Sequence, residues 1–77
     1  SVRISYRMPD LGKVNIEIYD VMGRLVRSLL SGDRGPGWQH ETWDGRDEEG
    51  RSVPSGVYFV AARSAYGGAC KKCVLAR

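Results

Sequence analysis

The feature that most constrains this chain is a repeat of period two. Val2, Ile4, Tyr6 and Met8 alternate with Arg3, Ser5 and Arg7, and over residues 13–20 Val14, Ile16 and Ile18 alternate with Asn15 and Glu17. Successive side chains of an extended strand point to opposite faces, so this pattern specifies strands with one buried and one solvated face. Turn residues punctuate it: Pro9-Asp10-Leu11-Gly12 follows the first run and Asp20-Val21-Met22-Gly23 the second, which suits a short hairpin loop. In residues 24–30 the doublets Leu25-Val26 and Leu29-Leu30 break the alternation. A two-turn helix fits there, and a bulged strand fits better. Residues 31–37, SGDRGPG, read as a loop. Residues 38–43 read as a strand, 44–55 as a longer loop, and 56–63, with Val57, Tyr58, Phe59 and Val60, as the near-continuous apolar run of a central strand. A turn over 64–68 and a last strand over 69–76 complete the chain.

Six or seven strands spaced about 8–12 residues apart, with glycine-rich turns, predict an all-β fold: a small antiparallel β-sandwich. The 77 residues suffice for one domain. A domain of this size buries only about 60% of the surface its unfolded chain exposes, which disfavours a deep catalytic pocket. The net charge of +3 is too mild to demand a nucleic-acid partner. No apolar run approaches the roughly 18–20 residues of a membrane helix, and no membrane insertion is expected. Charge is unevenly placed: after Gly56 come Arg63, Lys71, Lys72 and Arg77 without an acid, whereas Asp44, Asp47, Glu48 and Glu49 cluster around Arg46 and Arg51. The sequence opens at Ser1 directly in strand-like residues, with neither a signal peptide nor an initiating Met. We therefore expect residues 1–77 to form a single immunoglobulin-like domain of about seven strands, the C-terminal domain of a longer protein.

The stretch WDGRDEEGRSVPSGVYF, residues 43–59, separates chemistry from architecture. Paired carboxylates do acid–base work when burial or mutual repulsion drives their pKa values apart. Here they lie in a polar loop with arginines alongside, and nothing nearby promises desolvation. An EF-hand loop alternates oxygen ligands and ends in a bidentate Glu; DGRDEEGR lacks that alternation, leaving at most a weak, irregular calcium site. Turn chemistry explains more. Asp44 before Gly45 suits a turn in which the carboxylate accepts backbone N–H groups. Gly50 and Gly56 give backbone freedom at the bends, and Pro54 stiffens the approach to the next strand. Trp43 and Tyr58 are expected at neighbouring strand ends, covering the core.

With its preceding segment IEIYDVMGRLVRSLL, this stretch resembles the FlgD-type immunoglobulin-like domain. It is equally similar to the related C-terminal sorting domains of type IX secretion cargo. The shared features are Tyr19-Asp20, Gly23-Arg24, Leu25-Val26, Gly37, Trp43-Asp44-Gly45, Arg46-Asp47, Ser55-Gly56-Val57-Tyr58 and the basic Lys71-Lys72. The resemblance spans nearly the whole chain and implies a sandwich without enzymatic activity. In sorting domains it implies an address read by an outer-membrane translocon; in the flagellar relative, part of a hook-capping scaffold. Glu41 departs from the pattern, standing where the family usually has an apolar residue, and so do Cys70 and Cys73.

The remaining candidates are weak. Cys70-Lys71-Lys72-Cys73 supplies two ligands, and a structural zinc needs four. Residues three apart in a strand face opposite ways, so Cys73 is expected to pack inward with Leu75 and Cys70 to face out. His40 stands without a nucleophile pattern and reads as a surface or edge residue. Neither a nucleophile elbow around Ser52 and Ser55 nor a phosphate loop is present. Trp38 is either packed or a platform for a partner or a sugar. Arg63, Lys71, Lys72 and Arg77 form a basic stripe that either guards a sheet edge or meets an acidic surface. No cofactor or metal is expected.

The leading expectation is a non-catalytic sorting or anchoring signal of an exported bacterial protein, secreted or held at the cell surface via the periplasm. Lys71, Lys72, Arg77 and Trp38 would carry the interaction, with a translocon or neighbouring domains as partner. The alternatives are a scaffold or interaction module like that of the hook cap, and a carbohydrate-binding sandwich.

Overall fold

The computed structural model describes residues 1–76. Six strands are present: β1 (Val2–Met8), β2 (Gly12–Tyr19), β3 (Leu25–Arg34), β4 (Gly37–Trp43), β5 (Gly56–Ser64) and β6 (Gly67–Leu75). β1 and β4 form a two-stranded sheet that faces a four-stranded sheet of order β3-β2-β5-β6. Every pairing is antiparallel, and the result is a small immunoglobulin-like sandwich. Two connections are hairpins, β2–β3 and β5–β6; the other three carry the chain from one sheet to the other.

The alternation places the core. Val14, Ile16 and Ile18 of β2 are buried against Tyr58 and Val60 of β5, Met8 of β1, Trp43 of β4 and Leu75 of β6. Full burial of each aliphatic side chain contributes about 1.5–3 kcal/mol. Trp43 and Tyr58 meet edge to face, with ring centroids 5.1 Å apart and planes at 70°. Their strands lie in different sheets, so the two rings seal the core across the sandwich rather than side by side along one sheet.

The doublets of β3 are bulges. Ile16 pairs with Leu30 and Glu17 with Ser28, leaving Leu29 as the extra residue; Ile18 pairs with Arg27 and Tyr19 with Leu25, leaving Val26. The extra residue lets neighbours that would otherwise face opposite ways both pack on the core, as Val26, Leu29 and Leu30 do.

The segment expected to be a loop over residues 31–37 is mostly strand. Ser31, Gly32, Asp33 and Arg34 pair with Asn15, Val14, Lys13 and Gly12. The reason is the length of β2: its early residues need hydrogen-bonded partners, and β3 runs on to supply them. Only residues 35 and 36 remain for the bend, helped by Gly37 at φ 98°.

The sheets differ in width, and this positions the candidate site. Leu75 is buried and Cys73 half-buried, yet residues 67–72 of β6 are exposed on both faces. The narrow sheet reaches β6 only in part and leaves residues 67–72 uncovered.

Candidate functional site

The β4–β5 loop is closed on itself. Asp44 accepts the Arg46 backbone N–H at 3.1 Å and pairs with the Arg27 guanidinium at 3.5 Å. Asp47 accepts the N–H groups of Glu49 (2.9 Å) and Arg51 (3.0 Å) through one oxygen. Glu48 accepts the Ser28 N–H, Glu49 pairs with Arg51, and the Arg46 guanidinium donates to the Gly50 carbonyl at 2.8 Å. The backbone is tied as well: Asp47 N–H to the Arg51 carbonyl, Glu48 N–H to the Val26 carbonyl and Val53 N–H to the Gly45 carbonyl. Gly45 and Gly50 take φ of 78° and 79°, which the bends require. Trp43 donates its indole N–H to the Arg46 carbonyl at 2.9 Å, and Tyr58 donates its hydroxyl to the Pro54 carbonyl at 2.6 Å. Each of the four carboxylates is thus engaged within the fold, and no cluster of three metal-ligating side chains occurs among the described residues.

Glu41, the departure from the family pattern, has a partner in each sheet. Its carboxylate accepts from the Tyr6 hydroxyl at 2.8 Å and from the Arg34 guanidinium at 3.0 Å. Burial alone would raise the Glu41 carboxyl, but the Arg34 and Tyr6 hydrogen bonds outweigh it and hold the group below its usual range. Burial, then the hydrogen bond to Glu41, pushes the Tyr6 phenol up to about 12. An inward-phase acid in a strand demands a cation, and that signal was in the sequence. Reading Arg34 as loop concealed the partner.

The residues expected to interact converge only in part. A groove of about 500 Å³ opens between β1 and β6, and Trp38, Lys71 and Lys72 all line it. Trp38 is 66% exposed, so its ring is not a core element. Every residue from 2 to 7 lines the same groove, so Arg3 and Arg7 join the two lysines. None of these four cations has an ion-pair partner among the described residues. Arg77 lies outside the described residues. Cys70 is exposed; Cys73 is half-buried, and that burial pushes its thiol up. His40 is exposed and shares a 2.8 Å hydrogen bond with the Ser5 hydroxyl.

A second surface went unread in the sequence. On the outer face of the four-stranded sheet Tyr19 pairs with Leu25 and Phe59, and Val57 with Val74. A depression of about 600 Å³ lies over Tyr19, Phe59, Ala61 and Cys70. The unbroken run Val57 to Val60 carried the signal, since it places apolar side chains on both faces of β5.

Comparison with known proteins places this architecture. The family model of the FlgD Ig-like domain matches residues 4–68. The chain belongs to the FlgD Ig-like domain family. The basal-body rod modification proteins FlgD of Salmonella typhimurium and Salmonella typhi are each 41% identical to it over 56 residues. That segment is 73% of this chain and 24% of theirs, so the chain matches about a quarter of the length of these relatives. No solved structure gives a significant match. The FlgD-type family match ends at Gly68, at the start of β6; Lys71 and Lys72, expected to carry the sorting interaction, lie beyond it. The expected localisation, secreted or at the cell surface via the periplasm, is therefore corrected: the relatives are basal-body rod modification proteins.

Proposed function

We propose that this domain is a non-catalytic structural and interaction module of a flagellar assembly protein, of the hook-capping kind the sequence resemblance implies. This is the scaffold alternative, and it replaces the sorting signal. The observation that carries it is the family match over residues 4–68, which takes in the whole of β1 to β5 but for the first two residues of β1. The closed β4–β5 loop supports the same reading, because carboxylates already bound to arginines and backbone amides are poorly placed for acid–base work. Partners on this reading are proteins: other segments of the parent chain or flagellar components, in place of an outer-membrane translocon.

The test is a transplant. The segment of the Salmonella typhimurium protein that aligns with this chain is replaced by residues 1–77, and swimming is scored in a strain lacking the native protein. Partial or full motility is expected, with none from an unrelated sandwich of similar size. A chimera that accumulates stably yet gives no more motility than the unrelated sandwich overturns the proposal.

A further inference from the structure

Immunoglobulin-like sandwiches bury the inner faces of both sheets. Here the inner face of β6 runs past its cover. Leu75 is buried and Cys73 half-buried, but Ala69 and Lys71, on the same face by alternation, are exposed. The strand that would cover them is the one beyond β1, and β1 is an edge. Its pairing with β4 runs unbroken from Val2 opposite Trp43 to Met8 opposite Gly37. Of the other three edges, β4 and β6 pair as regularly as β1, and β3 carries two bulges, a common protection against strand pairing. β1 carries none. Residues 2–7 of β1, from both of its faces, line the groove, a stretch of about 20 Å of strand.

Resting on the interaction-module reading, we infer that the free edge of β1 accepts an extended acidic segment of another protein as an added strand that completes the narrow sheet over β6. Charge selects the occupant. The groove is lined by Arg3, Arg7, Lys71 and Lys72 and by no acid. Acidic side chains on the outer face of the added strand meet Arg3 and Arg7, and those on its inner face meet Lys71. Main-chain hydrogen bonds give the affinity and alternate side chains the specificity. A second copy is disfavoured by the same charges. Antiparallel self-pairing of Val2–Met8 centres on Ser5 and sets Arg3 opposite Arg7, and like charges directly opposed are destabilising.

The probe is a capped seven-residue peptide of alternating Glu and Val, titrated against the 77-residue chain by tryptophan fluorescence and backbone amide shifts. We expect saturable binding, shifts concentrated in residues 2–7, and at least tenfold weaker binding when Lys replaces Glu in the peptide. With Val turned inward, the Glu side chains face Arg3 and Arg7, so the double variant Arg3→Glu, Arg7→Glu should weaken binding of the acidic peptide at least tenfold. Methylating alternate amide nitrogens, in both possible phases, leaves the domain untouched and removes one row of donors. At least one phase should cost tenfold or more. The inference is overturned if both methylated peptides bind like the parent, if the acidic peptide fails to bind, or if the shifts fall on the outer face around Phe59. A concentration-dependent dimer that excludes the peptide assigns the edge to a second copy and overturns it equally. None of these readouts involves motility, so failure here is distinct from failure of the transplant.

Discussion

The β4–β5 loop and the β1–β6 groove concentrate much of the charge in this chain, and they use it in opposite ways. In the loop, Asp44, Asp47, Glu48 and Glu49 each meet an arginine or a backbone amide. In the groove, Arg3, Arg7, Lys71 and Lys72 have no ion-pair partner among the described residues. Charge that is satisfied internally is architecture; charge left unpaired beside an open strand edge is available to a partner. The two tryptophans repeat the contrast. Trp43 has no exposed surface and ties the loop to the core, while Trp38 projects into the groove at 66% exposure.

The comparison is broken most severely at Trp43. Trp43→Ala removes the ring that packs on Tyr58 and the indole N–H that holds the Arg46 carbonyl. Large-to-small core changes of this kind cost about 3–5 kcal/mol. Urea unfolding followed by circular dichroism should show a loss in that range or a chain that no longer folds. A loss below about 1 kcal/mol would mean that the loop is not anchored through the core.

Next in size is the Tyr6–Glu41–Arg34 cluster. Glu41→Ala strips the phenol and the guanidinium of their shared acceptor. The expected cost is about 1–2 kcal/mol, set by hydrogen bonds to a charged group and reduced by partial exposure. The pH dependence sharpens it. The folded Glu41 carboxyl lies below its ordinary value of 4.5, so its contribution is present above that pH and is lost as pH falls through the lower folded value. The folded Tyr6 phenol lies near 12 against an ordinary 10.0, so its contribution is present below pH 10.0 and lost as pH rises through about 12. Stability measured across pH should fall at both limits in the wild type. In Glu41→Ala the acid limb should flatten, and the alkaline limb should weaken in part, because burial still raises the phenol.

What the sequence made legible follows from where the physics is local. Alternation in β1 and β2 assigned their faces, and turn residues at Asp20 and Gly23 gave the hairpin, because these depend on neighbours in the chain. The doublets of β3 announced bulges for the same reason. The extension of β3 through Arg34 was not legible. Ser31, Gly32 and Asp33 carry turn propensity and become strand only because β2 holds them. With that extension hidden, the Glu41 partner was hidden too. The groove is less local still. Trp38, Lys71 and Lys72 were singled out separately, and only the unequal width of the two sheets brings them together with Arg3 and Arg7.

Within the loop a smaller effect is expected. Asp47→Ala frees two backbone N–H groups at a bend that stays open to solvent, where water replaces part of the loss. About 1 kcal/mol is expected. Amide hydrogen exchange should speed up at Glu49 and Arg51 while Ile16 and Ile18 keep their protection. A matching loss of protection in β2 would show that loop and core unfold as one unit and would blur the line drawn between them.

The smallest effect on stability is expected at Trp38. Its ring is largely in solvent beside Arg7, its cross-strand neighbour, and it belongs neither to the core cluster nor to the residues packed on it. Exposed substitutions away from caps, strained backbone and buried pairs usually fall within about 0.5 kcal/mol. Trp38→Ala should therefore unfold at the same urea concentration as the wild type, to within that margin, although it removes as large a side chain as Trp43→Ala does. The paired measurement carries the weight, because chemistry and size are held fixed and only position differs. If Trp38→Ala costs more than about 1 kcal/mol, the indole is structural cover for β1 or β6, and the groove is part of the core rather than an open edge. If the cost is near zero, the exposed ring serves something other than stability. Titration of the acidic peptide against the same variant then measures whether that use is the partner strand.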